Sequence, residues 1–228
     1  MTAVAFSDFL QSFSLFRARR VVRPAGQALA WVMLLWCAGC AAPSVRPPDA
    51  VLDQAWRRHA ATLTPISHWE LRGRLAVQTD SRGGQATVTW VRADRRQSIQ
   101  LNGPLGRGVV RVTQDERGAR LEDSNRRMIE AGDAEQLVAE YTGWQLPIVY
   151  LDWWLRGLPV PELEAQRELD DQGRLRVLHQ QDWTVRYQNY TRFDGYDLPS
   201  RMSVARGAAP PQPAIEVRFV IDRWAQLK

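Results

Sequence analysis

Trp69-Glu70-Leu71-Arg72-Gly73-Arg74-Leu75-Ala76-Val77-Gln78 alternates between apolar and polar residues almost without interruption. Trp69, Leu71, Gly73, Leu75 and Val77 fall on one side, and Glu70, Arg72, Arg74 and Gln78 on the other. A period of two is the repeat of a strand with one face buried and one face wet. Ser81-Arg82-Gly83-Gly84 then supplies a turn, and Ala86, Val88 and Trp90 carry the same phase back, with Thr87 and Thr89 opposite. Connections this short place successive strands antiparallel.

The pattern continues outward from there. Asp94-Arg95 marks a turn, and Ile99 with Leu101 another strand. Strands follow at 109–113, 120–123 and 127–131, with Asp115-Glu116-Arg117-Gly118 as a hairpin turn. Further strands are expected at 164–169, 174–180, 183–190, 201–206 and 215–224, with Asp171-Gln172-Gly173 turning the first pair. Three helices interrupt or precede them. Residues 50–63 place Leu52, Ala55, Trp56, His59, Ala60 and Leu63 near one face, and Pro65 ends the run. Asp133 is an N-cap with Gln136 three residues on, and Gly143 closes that helix. Pro147 opens a helix with Ile148, Leu151, Trp154 and Leu155 as its stripe, which Gly157 and Pro159 stop. The expected class is mainly β (α+β), with about eleven antiparallel strands. Open twisted sheets rarely exceed ~10 strands, so this one must curl or close. Helices over its mouth would then enclose an apolar interior able to hold a ligand.

The N-terminus follows other rules. Arg17, Arg19, Arg20 and Arg23 form a cationic stretch, an apolar run reaches Trp36, and Ala38-Gly39-Cys40 ends it. This is the grammar of a secretory signal, too short and interrupted to span a bilayer of roughly 30 Å. Cys37-Ala38-Gly39-Cys40 resembles a lipobox, with Cys37 where Leu is usual. The expected division is a lipoprotein signal over 1–39, an acylated Cys40 with a Pro-rich tether over 40–49, and a domain over 50–228. Cys37 lies in this leader and Cys40 is the acylated first residue, so the mature chain has no disulfide option. Its 189 residues suit one domain. Losing the leader removes four arginines and Asp8 and lowers the net charge from +5 to +2, which argues against a nucleic-acid partner.

Catalytic signatures are sparse. His59, His68 and His179 lack metal-binding spacing, and no cysteine supports them. There is no nucleophile elbow or P-loop. Asp170-Asp171 and Glu162/Glu164 sit in polar turns, where solvated charge is the simpler reading. Eight tryptophans survive cleavage, enough to line a wide cavity or fill a core. Asn102-Gly103-Pro104-Leu105-Gly106-Arg107-Gly108 is a turn with a large aliphatic residue at its tip, either folded back on the core or presented to a membrane.

At this loop the chain resembles the LolB family of outer-membrane lipoprotein receptors. The likeness is carried by Arg72-Gly73, Trp90, Gly103-Pro104-Leu105-Gly106, Trp154 with Gly157-Leu158-Pro159, Trp183 with Tyr187 and Tyr190, Leu198-Pro199 and Asp222-Arg223-Trp224. The resemblance implies a single incomplete antiparallel β-barrel with a helical lid over an apolar cavity. It implies a monomer that takes triacylated lipoproteins from the periplasmic carrier LolA and inserts them into outer-membrane lipid. It implies no cofactor beyond lipid on Cys40, no metal and no catalysis. Leu105 becomes the membrane-inserting residue within Gly103, Pro104, Leu105 and Gly106. Trp90, Leu101, Trp154 and Trp183 are the expected cavity-lining residues. Ala41 after Cys40 lacks the aspartate of inner-membrane retention, which suits an outer-membrane anchor facing the periplasm. The rival classes are a structural envelope lipoprotein that recruits partners through a sheet edge, and a periplasmic hydrolase.

Overall fold

The computed structural model describes residues 47–103, 108–209 and 213–225. Cys40, most of the tether, and Pro104, Leu105, Gly106 and Arg107 lie outside the described residues. Helix α1 (Asp49–Leu63) leads into β1 (His68–Thr79), β2 (Gly83–Ala93), β3 (Arg96–Asn102), β4 (Val109–Asp115), β5 (Gly118–Asp123) and β6 (Met128–Ala131). Helices α2 (Ala134–Thr142) and α3 (Ile148–Leu155) follow. The chain finishes with β7 (Ala165–Leu169), β8 (Leu175–Gln180), β9 (Trp183–Phe193), β10 (Tyr196–Arg206) and β11 (Ile215–Ala225).

All eleven strands form one antiparallel sheet in the order β6-β5-β4-β3-β2-β1-β11-β10-β9-β8-β7. The chain runs outward from β1 to one edge, crosses through α2 and α3, and returns inward from the other edge to β11. The seam between β1 and β11 is therefore central, and the sheet is left unclosed between β6 and β7. Those edge strands have only four and five residues, and short edges limit pairing with stray strands.

Register explains the core. Because side chains alternate, one aligned pairing commits a whole row to one face. Leu71 sits opposite Trp90, Trp90 opposite Ile99, Ile99 opposite Val112, Val112 opposite Leu121, and Leu121 opposite Ile129. On its other side Leu71 faces Trp224. All but the partly buried Ile129 are buried. The alternation in the quoted stretch thus sets the inner face of seven strands.

The ladders shift register at four points, and two of these involve residues of the resemblance. Arg72 pairs with Arg223 and Gly73 with Ile221, so Asp222 is the extra residue of a bulge. A Cβ on Gly73 would lie 2.3 Å from the Val220 carbonyl oxygen, which only glycine avoids. In the second, Pro199 pairs with Tyr190 and Arg201 with Asn189, leaving Ser200 as the extra residue. Proline offers no N–H to a ladder, so it suits a bulge here. Its carbonyl accepts from Trp224 Nε1 at 3.0 Å.

The helices begin and end as the sequence indicates. Asp133 Oδ1 accepts from the Gln136 N–H at 2.8 Å, and Gly143 takes φ 75° at the far end of α2. On α1 the buried residues are Leu52, Trp56 and Leu63. The expectation differed most at β9 and β10. These strands run to Phe193 and from Tyr196, joined by Asp194-Gly195, both at positive φ. That is the two-residue hairpin geometry that Asp-Gly favours.

Candidate functional site

The inner face of the sheet gathers aromatic side chains into two groups. Trp69 lies 5.7 Å from Trp90 and 5.3 Å from Trp224, centroid to centroid. Trp154, on α3, lies 5.4 Å from Tyr150 and 6.2 Å from Trp183. Of the four expected lining residues, Trp90, Trp154 and Trp183 are buried and Leu101 is partly buried against the same core. The apolar interior is therefore present, and it is occupied by its own side chains. The most apolar void found is about 20 Å³, walled by Trp69, Arg156, Phe193, Tyr196, Leu198 and Trp224 among others. That is room for about one water-sized group. A groove of about 780 Å³ elsewhere is open and carries Arg96, Arg117, Arg120 and Glu130 on its walls.

Each buried indole must place its N–H. Trp90 Nε1 donates to Gln97 Oε1 at 3.2 Å, and Gln97 Nε2 donates to Gln114 Oε1 at 3.0 Å. Gln114 Oε1 also accepts from the backbone N–H of Ala134, the first residue of α2, at 3.1 Å. A chain of side-chain amides thus runs from the core to the start of a covering helix. On the other side Trp154 Nε1 donates to Gln180 Oε1 at 2.9 Å, and the same oxygen accepts from Val160 N. Gln180 Nε2 donates to the Val160 carbonyl at 2.8 Å. The Tyr187 hydroxyl donates to the Trp154 carbonyl at 2.9 Å. Burial pushes the Tyr187 phenol well above its ordinary range, so it stays a neutral donor. The two covering helices also hold each other, since Glu135 Oε1 accepts from Val149 N at 3.0 Å.

Below α3 sits a buried ion pair. Arg156 Nη2 lies 3.5 Å from Asp152 Oδ2, with both side chains below a tenth exposed. Its Nε donates to the Asp152 carbonyl, and its Nη1 donates to the Ile66 carbonyl at 3.0 Å. The guanidinium stacks 4.6 Å from the Trp153 ring. Burial pulls Arg156 below its usual value, and the Coulombic pull of Asp152 opposes this. The guanidinium therefore joins the end of α3 to the turn that follows α1.

The glutamines were missed by the sequence reading. Gln97 and Gln114 stand two residues from Ile99 and Val112, and Gln180 two residues from Leu178. Strand parity alone sends all three inward. Another grouping also emerged only in three dimensions. Ser67 Oγ lies 3.0 Å from His68 Nδ1, and His68 Nε2 lies 3.2 Å from Asp94 Oδ2. Ser67 also donates to Asp94 at 3.4 Å. These are exposed groups that tie the start of β1 to the β2–β3 turn. Among the described residues there is no group of three or more potential metal ligands.

Several of the residues that carried the resemblance converge. Gly157, at φ 78°, is so close to Pro199 and the Tyr190 hydroxyl that its absent Cβ would meet each at 3.4 Å. Trp154, Tyr187, Tyr190, Pro199 and Trp224 are linked to this corner by the contacts above and by the Tyr187–Tyr190 ring pair. Arg72-Gly73 and Asp222-Arg223 form the two sides of the first bulge.

The chain is 37% identical over 200 residues to the outer-membrane lipoprotein LolB of Pseudomonas putida (strain F1), covering 86% of this chain and 94% of that one. The protein of the same name from Pseudomonas fluorescens (strain Pf-5) is 34% identical over 195 residues, covering 84% and 91%. That from Stutzerimonas stutzeri is 35% identical over 200 residues, covering 86% and 93%. Among solved structures, a LolA superfamily protein from Nitrosomonas europaea superposes with a TM-score of 0.48 at 10% identity, over 77% of this chain and 93% of that chain. A DUF1329 family protein from Desulfovibrio piger does so with a TM-score of 0.47 at 8% identity, over 80% and 94%. The family model described as outer membrane lipoprotein LolB matches residues 67–224. That stretch takes in β1 to β10, both covering helices and β11 as far as Trp224, and on this ground the chain belongs to the LolB family.

Proposed function

We propose that this chain is the outer-membrane acceptor of acylated lipoproteins, anchored by lipid on Cys40 after cleavage of residues 1–39. Residues 40–49 serve as its tether and 50–228 as its lipid-binding domain. It receives triacylated lipoproteins from a LolA-type periplasmic carrier and passes them to the membrane, making and breaking no bonds. The observation that carries this reading is the aromatic inner face of an unclosed sheet, covered by two helices joined to it through a few amide and phenol hydrogen bonds.

An acyl chain of ~15 methylenes gains roughly 12 kcal/mol on leaving water, at ~0.8 kcal/mol per methylene. Lipoproteins therefore need an apolar shelter in transit. In this reading α2 and α3 move to expose Trp90, Leu101, Trp154 and Trp183 as the acyl-contacting surface, and those side chains give up space to the guest. Direction follows from a ladder of affinities, with the bilayer holding acyl chains most tightly. The packed interior is also what the rival structural-lipoprotein reading expects; family membership tips the balance toward the acceptor.

The Gly103-Pro104-Leu105-Gly106 loop joins β3 to β4, and its base is closed by the Gly103 N–H donating to the Gly108 carbonyl at 2.9 Å. Leu105 at its tip would enter the bilayer. Leu105→Glu is expected to leave uptake from the carrier intact while insertion into vesicles fails; insertion at the wild-type rate would remove Leu105 from this role. Cys40→Ala is expected to release the chain from the membrane fraction, which cell fractionation checks.

A further inference from the structure

Among the described residues four buried side-chain atoms lack a hydrogen-bond partner, His59 Nε2, Trp69 Nε1, Asp152 Oδ1 and Arg206 Nε, and of their residues only Trp69 lines the small apolar void. Trp69 is 2% exposed, and its indole N–H is a buried donor with no hydrogen-bond partner among the described residues. Its neighbours differ in this respect, since Trp90, Trp154 and Trp224 each place their N–H on a named oxygen. Buried donors are nearly always paired, so an orphan at a wall of a void calls for an acceptor. Trp69 forms one wall of the small void closed by Arg156, Phe193, Tyr196, Leu198 and Trp224.

The chemistry of those walls narrows the acceptor. Arg156 does not supply a free positive charge, because Asp152 balances it and its N–H groups bond the carbonyls of Asp152 and Ile66. Asp194 stands on the rim and repels anions. What remains is the neutral Trp69 indole, with its unpartnered N–H, in an aromatic and aliphatic surround. A phosphate or carboxylate would lose its hydration there without a matching charge. An uncharged carbonyl attached to an apolar chain loses little and gains one hydrogen bond.

We propose that this void is the seat for the ester or amide carbonyl of a bound acyl chain, with Trp69 Nε1 as its donor. The proposal rests on the acyl-acceptor reading and deepens it by fixing one end of the chain. The carbonyl lies beside the β9–β10 hairpin and the end of α3, and the hydrocarbon runs inward along the tryptophan face. Asp194, which lines the void beside Phe193 and Tyr196, shifts with its hairpin turn to admit it.

The test compares two lipids that differ only in the carbonyl: lysophosphatidylcholine with an ester-linked sixteen-carbon chain, and its ether-linked counterpart. Each is titrated calorimetrically below its micellar concentration into the full chain carrying Cys40→Ala. Wild-type Trp69 is expected to favour the ester roughly three- to tenfold, the worth of one neutral hydrogen bond. Trp69→Phe is expected to erase that ester-to-ether ratio, whatever it does to the affinity shared by both lipids, and Trp224→Phe to keep the ratio. Should Trp69→Phe not fold, the Trp69 indole N–H resonance of the wild type decides, moving with ester and not with ether. Equal affinities for the two lipids, or an ester preference that survives Trp69→Phe, would overturn the carbonyl seat alone. Failure of both lipids to bind would overturn the acyl-binding reading beneath it.

Discussion

Gly73 shows how much one residue can decide. In the sequence it is simply the small member of an alternating run, and in the fold it is where β11 carries one extra residue against β1. Gly73→Ala would press a methyl against the Val220 carbonyl. Overpacking of this kind costs about 1–3 kcal/mol, read as a lower urea midpoint with an unchanged slope. His59 makes a different kind of prediction. It packs against Trp56 and Tyr190, and its Nε2 is buried without a hydrogen-bond partner among the described residues. Desolvation lowers its pKa below 6.5; Asp197 and Asp170 oppose this and Arg174 reinforces it. The unfolded chain then binds the proton more readily than the folded one. Stability is complete above pH 6.5 and falls as the pH drops from there through the lowered folded pKa. Urea midpoints at pH 7.5 and 5.0 should differ less for His59→Leu than for the wild type.

At the scale of elements, the covering helices depend on side chains that composition would assign to the surface. Gln180→Leu removes the acceptor for Trp154 Nε1 and Val160 N together. A buried donor left unpaired costs about 1–3 kcal/mol. Hydrogen exchange is expected to quicken across α3 and residues 156–160, with β1 and β11 little changed; equal quickening everywhere would mean α3 does not open separately. The strands, the α2 cap and the turns were legible in the sequence because each is set by local rules: alternation, Asp133 over Gln136, glycine at positive φ. The buried glutamines were readable by parity but masked by their polarity. The Asp194-Gly195 hairpin was passed over because Asp197 and Pro199 break the apolar alternation beyond it, and the bulge that accommodates Pro199 depends on its neighbour strand.

For the whole molecule, eleven strands implied curling, and the sheet does remain unclosed between β6 and β7. The filled interior was less accessible, since eight tryptophans are equally consistent with a lined cavity and a packed core. What decides is how far each ring intrudes, which depends on sheet curvature and so on its register shifts. Acyl binding should therefore displace rings already in contact. Tryptophan emission from the full chain is expected to change when an acylated peptide is added and not when its unacylated form is added. The pairing of β1 with β11 was the least legible, because no local signal links residues at opposite ends of a domain. That pairing also has a kinetic consequence. Contacts between distant residues must close a long loop before they contribute, which slows folding. β1, which seeds the alternation, has to wait for β11, so the central seam cannot form until both strands are available. A chain threading across a membrane would thus stay pliable until its final segment emerges.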